Sequence, residues 1–520
     1  MTVRPWLRRA RRALLAAGTA AVLAAGALTG AATASQAATQ GPCDIYAAGG
    51  TPCVAAHSTT RALIASYNGP LYQVQRASDG TVQNIGVLSA GGVADATAQD
   101  SFCAGTVCTI TRVYDQTGNG NTLVYQGPGG TGGADTAAVA NTEALSVGGH
   151  KAYALSIDPG NSYFAHNSAG GVPTGSSPEG EYMVTSGTHV NKGCCFDYGN
   201  TEVDHKADGN GAMDAINFST ECWFGGCSGT GPWVQADLEN GLFPGGSAAW
   251  NPNQVSETSH FVTAMLKNDG TTRMALQGSN AQSGSLTKLY SGSLPSGYNP
   301  MHKQGAIILG SGGDCCQSNR NASAGTFYEG AMVKGYPSDA TDAAVQADIA
   351  AAGYGSAPTG AGSLTPGSRV SLRATTACCT SDYLRHDDAD TKVVISAVST
   401  SSPATDKADA TWIVRAGLAN GACLSFESAN ESGAYLRHYA FELHLDPDDG
   451  STQFAADATF CPQPGNSGTG YSLRSFNYPA KYIRHYASTA YVASNGGTDA
   501  WDTTSLWAQD TTWLAAAPWS

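Results

Sequence analysis

Charged side chains are scarce in this chain of 520 residues. Asp, Glu, Lys and Arg make up 13% of it, and the acids outnumber the bases, so the formal net charge is −14. Nucleic acids and anionic membranes attract proteins through clusters of Lys and Arg. An acidic chain with so little charge therefore excludes both kinds of partner. Glycine, in contrast, occurs 64 times, which indicates a turn-rich protein that faces neutral polymers.

Several catalytic and metal-binding motifs are also missing. The chain has no CxxC, no HExxH and no histidine cluster at ligand spacing, which are the patterns typical of zinc sites. It has no G-x-S-x-G nucleophile elbow. Its G-x-G-x-x-G match at 127–132 holds a proline and a run of glycines where a strand should lead into a helix. We therefore predict neither a metal nor any other cofactor.

The N-terminus has the pattern of a cleaved secretion signal. Five arginines lie among the first twelve residues, an uncharged run rich in Ala and Leu follows from Ala13, and small residues end it near Ala37. The alternative is a membrane anchor, which the Ala, Gly and Thr content of the run disfavours. We predict that residues 1–38 are a signal peptide and that the mature chain is secreted. Losing the five arginines takes the net charge from −14 to −19.

The fourteen cysteines predict a disulfide framework, because disulfides form in exported proteins. Three pairs are spaced to close short loops, Cys43/Cys53, Cys103/Cys108 and Cys222/Cys227, and Cys423/Cys461 lie near the C-terminal end. The rest form adjacent pairs: Cys194-Cys195, Cys315-Cys316 and Cys378-Cys379. A disulfide between neighbouring cysteines closes an eight-membered ring, which presents a rigid apolar patch to a sugar face. The alternative is that the adjacent cysteines pair elsewhere or stay reduced.

The last 150 or so residues contain one unit written three times. The string Tyr-Leu/Ile-Arg-His recurs at Tyr383–His386, Tyr435–His438 and Tyr482–His485. Each copy is followed by an Asp that precedes Ala or Thr, then Thr, then an aromatic residue; these acids are Asp409, Asp457 and Asp510. A repeat of about fifty residues is typical of rotationally repeated β units, and three copies predict a β-trefoil. Cys423 and Cys461 both fall within its second repeat.

The repeated His and Asp are candidates for sugar binding. Together they offer a donor and several acceptors to sugar hydroxyls, and nearby Tyr rings can cover the C–H face of a sugar. The alternative is that the His belongs to the trefoil core and the Asp caps a turn.

A Gly/Ser/Pro-rich linker over residues 355–368 divides the chain. Upstream, residues 39–354 contain short apolar or alternating runs such as Phe261–Leu266, separated by Gly-rich turns, which predict a β-sandwich. Helical signals are few, and the best two are Ser58–Tyr67 and Ala340–Ala352. Residues 369–520 form the trefoil. The predicted fold class is therefore all-β, a sandwich followed by a trefoil.

Two segments of the predicted sandwich carry carboxylates suited to catalysis. The run Trp233–Glu239 alternates with period two and has a core face and a polar face. The core set is Val234, Ala236 and Leu238, and the polar set is Trp233, Gln235, Asp237 and Glu239. The second segment is the apolar strand Ala306–Leu309, whose glycine-rich end carries Asp314 to the rim of the sheet. The alternatives are an ordinary exposed strand face and an acid that caps a turn.

Two converging carboxylates in a secreted protein with a repeat module are typical of glycoside hydrolases. One carboxyl group attacks or stabilises the anomeric carbon, and the other protonates the leaving oxygen.

Longer strings resemble a known family. They are Gly41–Tyr46, Thr51–Leu63, Cys194–Asn200, Asp237–Asn240 and Gly325–Gly330. These strings resemble the α-L-arabinofuranosidases of glycoside hydrolase family 54. The three-repeat end resembles the carbohydrate-binding module of family 42, a β-trefoil that binds arabinofuranose side chains. The resemblance covers nearly the whole mature chain.

The resemblance implies a retaining mechanism, with Glu239 as the nucleophile and Asp314 as the general acid/base. The pocket residues that it implies are Cys194, Cys195, Trp223, Asp237, Asn240 and Gly313. In the module it implies two sugar-binding pairs, His438 with Asp457 and His485 with Asp510. The first repeat carries the equivalent pair His386 and Asp409, at the position where family members can lose binding. With this resemblance we predict that each adjacent cysteine pair is joined to itself.

The sequence also departs from the family pattern in two places. The adjacent cysteines Cys315-Cys316 follow Asp314 directly, and the pair Cys222/Cys227 is added around Trp223.

The predicted function is that of a secreted, retaining exo-α-L-arabinofuranosidase that removes side chains from arabinoxylan or arabinan. We expect a monomer whose partner is plant cell-wall polysaccharide. One alternative is a β-xylosidase or an enzyme with both activities, because xylose and arabinofuranose present similar hydroxyls. Another is a non-catalytic lectin that anchors to the cell wall.

Overall fold

A computed structural model describes residues 40–126, 134–224, 227–247, 251, 253–310, 321–357, 362–387, 389–421 and 423–520. The predicted signal peptide lies outside the described residues. So do Gly313, Asp314, Cys315 and Cys316. Among the helices of the described residues, none combines the length and the apolar character that crossing a bilayer requires.

The N-terminal part of the described chain is a β-sandwich. Its elements, in chain order, are α1 (Pro42–Ala48), β1 (Cys53–Ser58), β2 (Tyr72–Arg76), β3 (Val82–Ile85), α2 (Ala96–Phe102), β4 (Cys108–Val113), β5 (Leu123–Tyr125), β6 (Ala144–Val147), β7 (His150–Tyr153), β8 (Leu155–Ile157), β9 (Tyr163–His166), β10 (Glu179–Thr185), β11 (Asp197–Thr201), β12 (Asp214–Ser219), β13 (Trp233–Asp237), β14 (Leu242–Phe243), β15 (Val262–Asn268), β16 (Met274–Asn280), β17 (Thr287–Gly292), β18 (Ala306–Leu309), β19 (Gly325–Lys334) and α3 (Asp339–Ala351).

These strands form two large antiparallel sheets and a separate two-stranded one, β6-β7. One has the order β1-β19-β10-β15-β16-β17, with β8 also paired to β19, and the other has the order β14-β13-β12-β11-β18-β9-β5-β4-β2-β3. A single apolar core lies between them and contains Val234, Ala236 and Leu238, all fully buried. This confirms the predicted core face of the run around Asp237. Helices α1 and α3 pack on the outer face of the first sheet, so the outer face of the ten-stranded sheet is the one left for a site.

The two predicted helices had different outcomes. Helix α3 matches the predicted segment within one residue at each end, and the Ser338 hydroxyl caps it by accepting a hydrogen bond from the Thr341 amide. The predicted helix over Ser58–Tyr67 is wrong. There the Ser58 hydroxyl accepts from the amides of Thr60 and Arg61, and such local side-chain bonds compete with the helical ones.

The C-terminal part is a β-trefoil. Its elements are β20 (Arg369–Ala374), β21 (Asp382–His386), β22 (Val393–Ala397), α4 (Ala404–Asp409), β23 (Trp412–Ala416), β24 (Leu424–Ser428), β25 (Ala434–Tyr439), β26 (Glu442–Pro447), α5 (Thr452–Asp457), β27 (Phe460–Pro464), β28 (Tyr471–Ser475), β29 (Tyr482–Tyr486), β30 (Thr489–Ala493), the 3₁₀ turn Ala500–Asp502, α6 (Trp507–Asp510) and β31 (Trp513–Ala516).

Strand pairing closes this part into a barrel. The ring β20-β23-β24-β27-β28-β31 returns to β20, and the hairpins β21-β22, β25-β26 and β29-β30 pair with one another through β30 at one end. Each repeat places an aromatic residue at the same core position, Trp412, Phe460 or Trp513, and all three are fully buried. The trefoil that the period predicted is confirmed.

Disulfides join the predicted partners wherever the structure describes both cysteines. These bonds are Cys43–Cys53, Cys103–Cys108, Cys194–Cys195, Cys222–Cys227, Cys378–Cys379 and Cys423–Cys461. The predicted pair Cys315–Cys316 lies outside the described residues.

The Cys423–Cys461 disulfide differs from the others in the length of chain that it closes. Its two cysteines are 38 positions apart, whereas the other pairs are at most 10 apart. Cys423 directly precedes β24 and Cys461 lies on β27, so the bond joins the first and last strands of the second repeat, which also pair through Leu424 and Phe460. A longer closed loop restricts the unfolded chain more. The Cys423–Cys461 disulfide therefore stabilises the trefoil more than a short-loop disulfide would.

Sandwich and trefoil belong to one compact unit, Ala37–Ser520, and polar contacts join them. Lys151 on β7 lies with its ammonium 2.8 Å from Asp100 Oδ2 and donates to Asn466 Oδ1 at 2.7 Å. The Gly105 amide donates to the Asn495 carbonyl. Because Lys151 is almost fully buried, this contact is held away from solvent.

Candidate functional site

A tight hairpin carries Glu239. Strands β13 and β14 pair with Asp237 opposite Leu242, and Glu239 and Asn240 lie in the turn between them. Their φ angles are 65° and 57°, and positive φ at both central positions is what a type I′ turn requires. The prediction that Glu239 continues the strand is therefore wrong: the strand ends at Asp237, and the hairpin turns Glu239 away from the strand direction.

Several hydrogen bonds fix this turn. The Glu239 amide donates to Asp237 Oδ1 at 3.2 Å, and the Tyr298 hydroxyl donates to the Glu239 carbonyl at 2.8 Å. Asn240 Nδ2 donates to Asn210 Oδ1 at 3.1 Å. A left-handed backbone at a glutamate is uncommon and persists where the surroundings hold it. The turn thus presents a buried carboxylate from a backbone that has little freedom to move.

The floor next to this hairpin is acidic. One carboxylate oxygen of Asp197, one of Asp237 and the sulfur of Cys195 all lie within 4.8 Å of one another, and all three residues are buried. Asn217 Nδ2 donates to Asp197 Oδ1 at 2.8 Å. Cys195 is bonded to Cys194, so its sulfur is not the thiolate that a metal ligand must be. The floor therefore consists of two carboxylates beside a disulfide.

Aromatic residues stand over the same hairpin. The Cys222–Cys227 disulfide closes the loop that carries Trp223 and Phe224, both more than 40% exposed. A Cβ atom on Gly241 would lie 2.7 Å from the Phe224 ring, so that ring rests on the hairpin beside Asn240. Trp223, the preceding residue, is 47% exposed. This exposure suits a residue that covers a bound sugar.

The strand that leads to Asp314 enters beside this floor. The Gly310 amide at the end of β18 donates to the Asp197 carbonyl at 2.9 Å, and β18 pairs with β11 along its length. Asp314 and Gly313 lie outside the described residues. The structure thus brings together Cys194, Cys195, Asp237, Glu239 and Asn240, and Trp223 directly precedes Phe224, whose ring contacts the hairpin.

The sequence analysis missed Asp197 and Tyr298. Asp197 was within reach, because it follows the adjacent cysteines by two residues at the start of a strand. Tyr298 was not, since nothing in its local sequence indicates that it supports a turn some sixty residues away.

A layer of buried ionisable residues lies behind the site, between the sheets. Lys303 Nζ is 3.0 Å from Glu179 Oε1 and 3.4 Å from Asp214 Oδ2. Burial raises the pKa of Glu179 to about 8, against the opposing effect of Lys303. Burial, reinforced by Asp214 and Glu179, raises the pKa of Glu181 well above its usual value. One lysine lies among three buried acids, so the surroundings of Glu181 favour its protonated form.

Glycine is required next to this layer. Gly199 on β11 has φ 155°, and a Cβ atom there would lie 2.5 Å from Glu181 Oε2 and 2.6 Å from the Ala215 Cα. Ala215 is the neighbour of Asp237 across β12 and β13. The absence of a side chain at Gly199 therefore lets the buried acids pack directly against the strands that carry the site.

The trefoil forms its His–Asp pairs in all three repeats. Nε2 of the histidine lies 3.4 to 3.6 Å from an Asp oxygen in each pair: His386 and Asp409, His438 and Asp457, His485 and Asp510. The Arg that precedes each His also faces the Asp, at 2.9 to 3.9 Å: Arg385, Arg437 and Arg484. The repeated Arg is thus part of the site, which the sequence analysis missed.

A residue of the next repeat bridges each of the first two pairs. Asn477 Nδ2 donates to Asp457 Oδ1 at 2.6 Å, and its Oδ1 lies 3.0 Å from His438 Nε2. Asn430 does the same for the first repeat, at 2.7 and 3.1 Å. Burial lowers the pKa of His438 and of His485, outweighing the neighbouring aspartates. Both rings are therefore neutral at neutral pH and offer one N–H donor each.

The first repeat differs from the other two. Its hairpin is two residues longer, because His386 pairs with Val393 whereas His438 pairs with Leu443. In the second and third repeats a tyrosine follows the histidine, Tyr439 or Tyr486, and an acid, Asp387, takes that place in the first. The first repeat therefore lacks this tyrosine, and Glu431 follows Asn430 where Tyr478 follows Asn477.

Two family models match the chain, one on each part. Residues 42–355 match "Alpha-L-arabinofuranosidase B, catalytic", and residues 372–515 match "Alpha-L-arabinofuranosidase B (ABFB) domain". Among relatives, a probable alpha-L-arabinofuranosidase B of Aspergillus clavatus is 52% identical over 484 residues, which is 92% of this chain and 94% of the relative. An arabinofuranosidase/B-xylosidase of Trichoderma koningii is also 52% identical, over 92% of this chain and 95% of its own.

A solved structure is similar over the same span. It is the crystal structure of an arabinofuranosidase complexed with arabinofuranosyl-alpha-1,2-xylobiose, 48% identical, with a TM-score of 0.61. The match covers 92% of this chain and 100% of that one.

Proposed function

The chain belongs to the alpha-L-arabinofuranosidase B family of glycoside hydrolases, and we propose that it is a secreted enzyme that removes terminal arabinofuranosyl branches with retention of configuration. The chemistry rests on Glu239. Its position on a buried, hydrogen-bonded hairpin beside the Cys194–Cys195 disulfide is the observation that carries the proposal. Partners are arabinose-bearing polysaccharides, of which arabinoxylan and arabinan are the proposed ones.

The first chemical step is attack by the Glu239 carboxylate on the anomeric carbon. A bond forms between a Glu239 oxygen and that carbon, while the bond to the leaving oxygen breaks and Asp314 gives that oxygen a proton. In the second step Asp314 takes a proton from water, and the water oxygen displaces Glu239. Two inversions at one carbon give net retention.

The rest of the site positions the sugar. Because Asp237 accepts from the Glu239 amide, it fixes the backbone from which the nucleophile projects. We propose that the carboxylates of Asp237 and Asp197 accept hydrogen bonds from ring hydroxyls and that the disulfide supports the C–H face. Glu239 and both aspartates are buried, which favours a single terminal sugar and hence exo action.

The trefoil supplies attachment. We propose that residues 369–520 bind arabinofuranosyl side chains at His438 with Asp457 and at His485 with Asp510, and that the first repeat, which lacks the tyrosine, does not bind. In this division residues 39–354 are catalytic and residues 355–368 are the linker. Secretion after removal of residues 1–38 is supported by the disulfides of the described chain.

The stereochemistry of the product tests the mechanism. Hydrolysis of an aryl α-L-arabinofuranoside, followed by proton NMR in the first minutes, should show the α anomer of arabinose before the anomers equilibrate. Initial release of the β anomer would contradict the nucleophilic role of Glu239 and would indicate a single displacement by water.

A β-xylosidase activity is the second candidate. The name of the Trichoderma koningii relative, which includes B-xylosidase, favours testing it. Rates on aryl xyloside and aryl arabinofuranoside should be compared with one preparation, and both should vanish in Glu239→Gln if one site serves both. A rate on the xyloside that survives this substitution would exclude a shared site. The alternative of a non-catalytic lectin is set aside, since the chain belongs to a hydrolase family.

A further inference from the structure

The third repeat of the trefoil has a cavity whose lining includes residues that the other two repeats lack. It measures about 330 Å³ and contains His485 and Asp510 in its lining, together with Cys378 and Cys379. These two cysteines are adjacent in sequence and are joined to each other. The alternative that they pair elsewhere does not hold in this structure.

The two cysteines follow β20, at the start of the trefoil. They reach the third site because the barrel closes by pairing β20 with β31. In the second repeat Asn477 bridges His438 and Asp457. In the third repeat Thr376 does the same, because its hydroxyl donates to Asp510 Oδ1 at 2.8 Å and lies 2.9 Å from His485 Nε2. The residues after Thr376 therefore occupy, at the third site, the place that the residue after Asn477 occupies at the second.

The residue after Asn477 is an aromatic wall. The Tyr478 ring lies 5.4 Å from the His438 ring and 5.0 Å from the Phe441 ring, and it is 41% exposed. A flat apolar surface next to a ring that offers an N–H is what a sugar needs on its C–H face. The second site thus has a polar side and an apolar side.

The third site has no tyrosine after Thr376. The chain there is two residues longer before the repeated Tyr383, and it holds Ala377, Cys378 and Cys379. The Cys379 amide donates to the Thr376 carbonyl at 2.8 Å, which folds the disulfide back towards the bridging threonine.

A role in stability does not account for this disulfide. It closes a ring of only two residues, so it removes almost no conformational freedom from the unfolded chain, unlike the bond between Cys423 and Cys461. Cys379 is half-buried against the trefoil core but Cys378 is exposed, so packing in the core accounts for only one side of the pair. A role at the surface of the cavity remains.

Another part of the cavity lining comes from the loop that precedes Asp510. Arg484 is fully buried and donates to the carbonyls of Trp501, Thr503 and Ser505 as well as to Asp510. This brings Leu506, 56% exposed, to the cavity. The lining of the cavity thus combines the polar groups of the site with two apolar surfaces, Leu506 and the disulfide.

We propose that the Cys378–Cys379 disulfide is the apolar wall of a sugar site in the third repeat, and that it supports the C–H face of an arabinofuranosyl group as Tyr478 does in the second. The inference rests on the proposed sugar binding by this repeat and adds the element that shapes it. Within the described residues the same device then occurs at two places, since the Cys194–Cys195 disulfide borders the acids of the catalytic floor.

The test uses the full chain carrying Glu239→Gln, so that the polymer stays intact, and His438→Ala, so that the second site is silent. Three proteins are compared for binding to insoluble arabinoxylan: this parent, the parent with Cys378→Ala and Cys379→Ala, and the parent with His485→Ala. Removing the disulfide should weaken binding by about three- to tenfold, the size of a stacking contact. His485→Ala should weaken it at least as much.

A matched comparison measures the contribution of Tyr478, the aromatic wall of the second site. Tyr478→Ala in a Glu239→Gln and His485→Ala background should weaken binding through the second site by a similar factor. Thermal unfolding should show that all variants remain folded. Should the double alanine variant fail to fold, Cys378→Ser with Cys379→Ser, which opens the ring and leaves two small polar side chains, is measured in the same way.

The outcomes separate the wall from the site. Unchanged binding after loss of the disulfide, with weaker binding after His485→Ala, would overturn the wall and leave the proposed function of the third repeat intact. Unchanged binding in both variants would overturn the site and the wall together. Weaker binding in both supports the inference.

Discussion

The sandwich contains a single site, whereas the trefoil repeats one arrangement of its own, a His, an Asp and an Arg, three times. In the sandwich the groups come from distant parts of the chain: Cys195, Asp197, Asp237 and Glu239 meet on one sheet, and Tyr298 supports the turn from outside it. In the trefoil each site repeats a His, an Asp and an Arg at fixed spacing. Losing one catalytic residue would inactivate the single site of the sandwich. The trefoil can lose binding at one repeat, or replace the apolar side of one site, and still bind through another. The first repeat, which lacks the tyrosine, illustrates the second situation.

The largest expected effect lies in the sandwich. Glu239→Gln keeps the shape of the side chain but removes the attacking charge, so kcat on an aryl arabinofuranoside should fall by about three orders of magnitude or more. Binding to insoluble arabinoxylan through the trefoil should be unchanged. Glu221→Gln is the control, because it is the backbone carbonyl of Glu221 that Gln235 of the site strand contacts. Near-normal turnover in Glu239→Gln would remove the contrast between the two parts of the chain.

A smaller effect concerns the packing behind the site. Gly199→Ala should destabilise the fold by about 3 kcal/mol, because the new Cβ atom would meet Glu181 and Ala215 at under 3 Å in a backbone that L side chains rarely adopt. Gly209→Ala is the matched control, since Gly209 also has positive φ but has open space around it. It should cost about 1 kcal/mol. Equal shifts in the two denaturant midpoints would show that crowding near the buried acids is unimportant.

The trefoil should respond in steps. His438→Ala should remove one site and His485→Ala another, and the double variant should bind insoluble arabinoxylan about ten times more weakly than either single one, because tethered weak sites act together. Turnover of a small aryl arabinofuranoside should not change. If it falls along with binding, the trefoil supports the sandwich structurally and the separation of roles is wrong.

The buried acids also predict how stability depends on pH. The pKa values of Glu179 and Glu181 are raised in the folded chain above their unfolded values, so the folded state binds more protons. Stability is therefore greatest below about pH 4.5 as far as these two groups are concerned, and it declines as pH rises towards about 8. Melting temperatures between pH 5 and 8 should show a shallower decline in Glu181→Gln than in the parent. An equal slope would place the titrating groups elsewhere.

The smallest expected effect is none at all. His386→Ala should leave binding to arabinoxylan unchanged, because the first repeat has a longer hairpin and carries Asp387 and Glu431 where the second site has Tyr439 and Tyr478. The control is His438→Ala, which should weaken it. A loss of similar size in both variants would make the three repeats equivalent.

More of the trefoil than of the sandwich could be predicted from the sequence. The trefoil was predictable from its period, since a string that recurs three times fixes the architecture and marks His438 and Asp457 in advance. The bridging Asn477 was missed because it belongs to the next repeat and approaches only when the barrel closes. Alignment of the repeats could have found it, because Asn430 and Asn477 both lie five residues before the tyrosine of a repeated string, Tyr435 or Tyr482.

In the sandwich, period two was enough to place Asp237 on the face opposite the core. It could not place Glu239, because the end of the strand is set by the pairing of β13 with β14, and that pairing is a tertiary property. The buried layer around Lys303 was also beyond local pattern. Its charged residues lie far apart in the chain and are brought together only when the two sheets pack.

Trapping of the glycosyl-enzyme tests the central claim most directly. In Asp314→Asn a substrate with a good leaving group still glycosylates the enzyme, whereas the second step slows because no base activates water. The intermediate should accumulate, and mass spectrometry of a digest made after rapid denaturation should find one pentosyl group on the peptide that contains Glu239, with fragmentation placing it on that residue. A pentosyl group on Asp237 or Asp197, or none while turnover continues, would contradict the account.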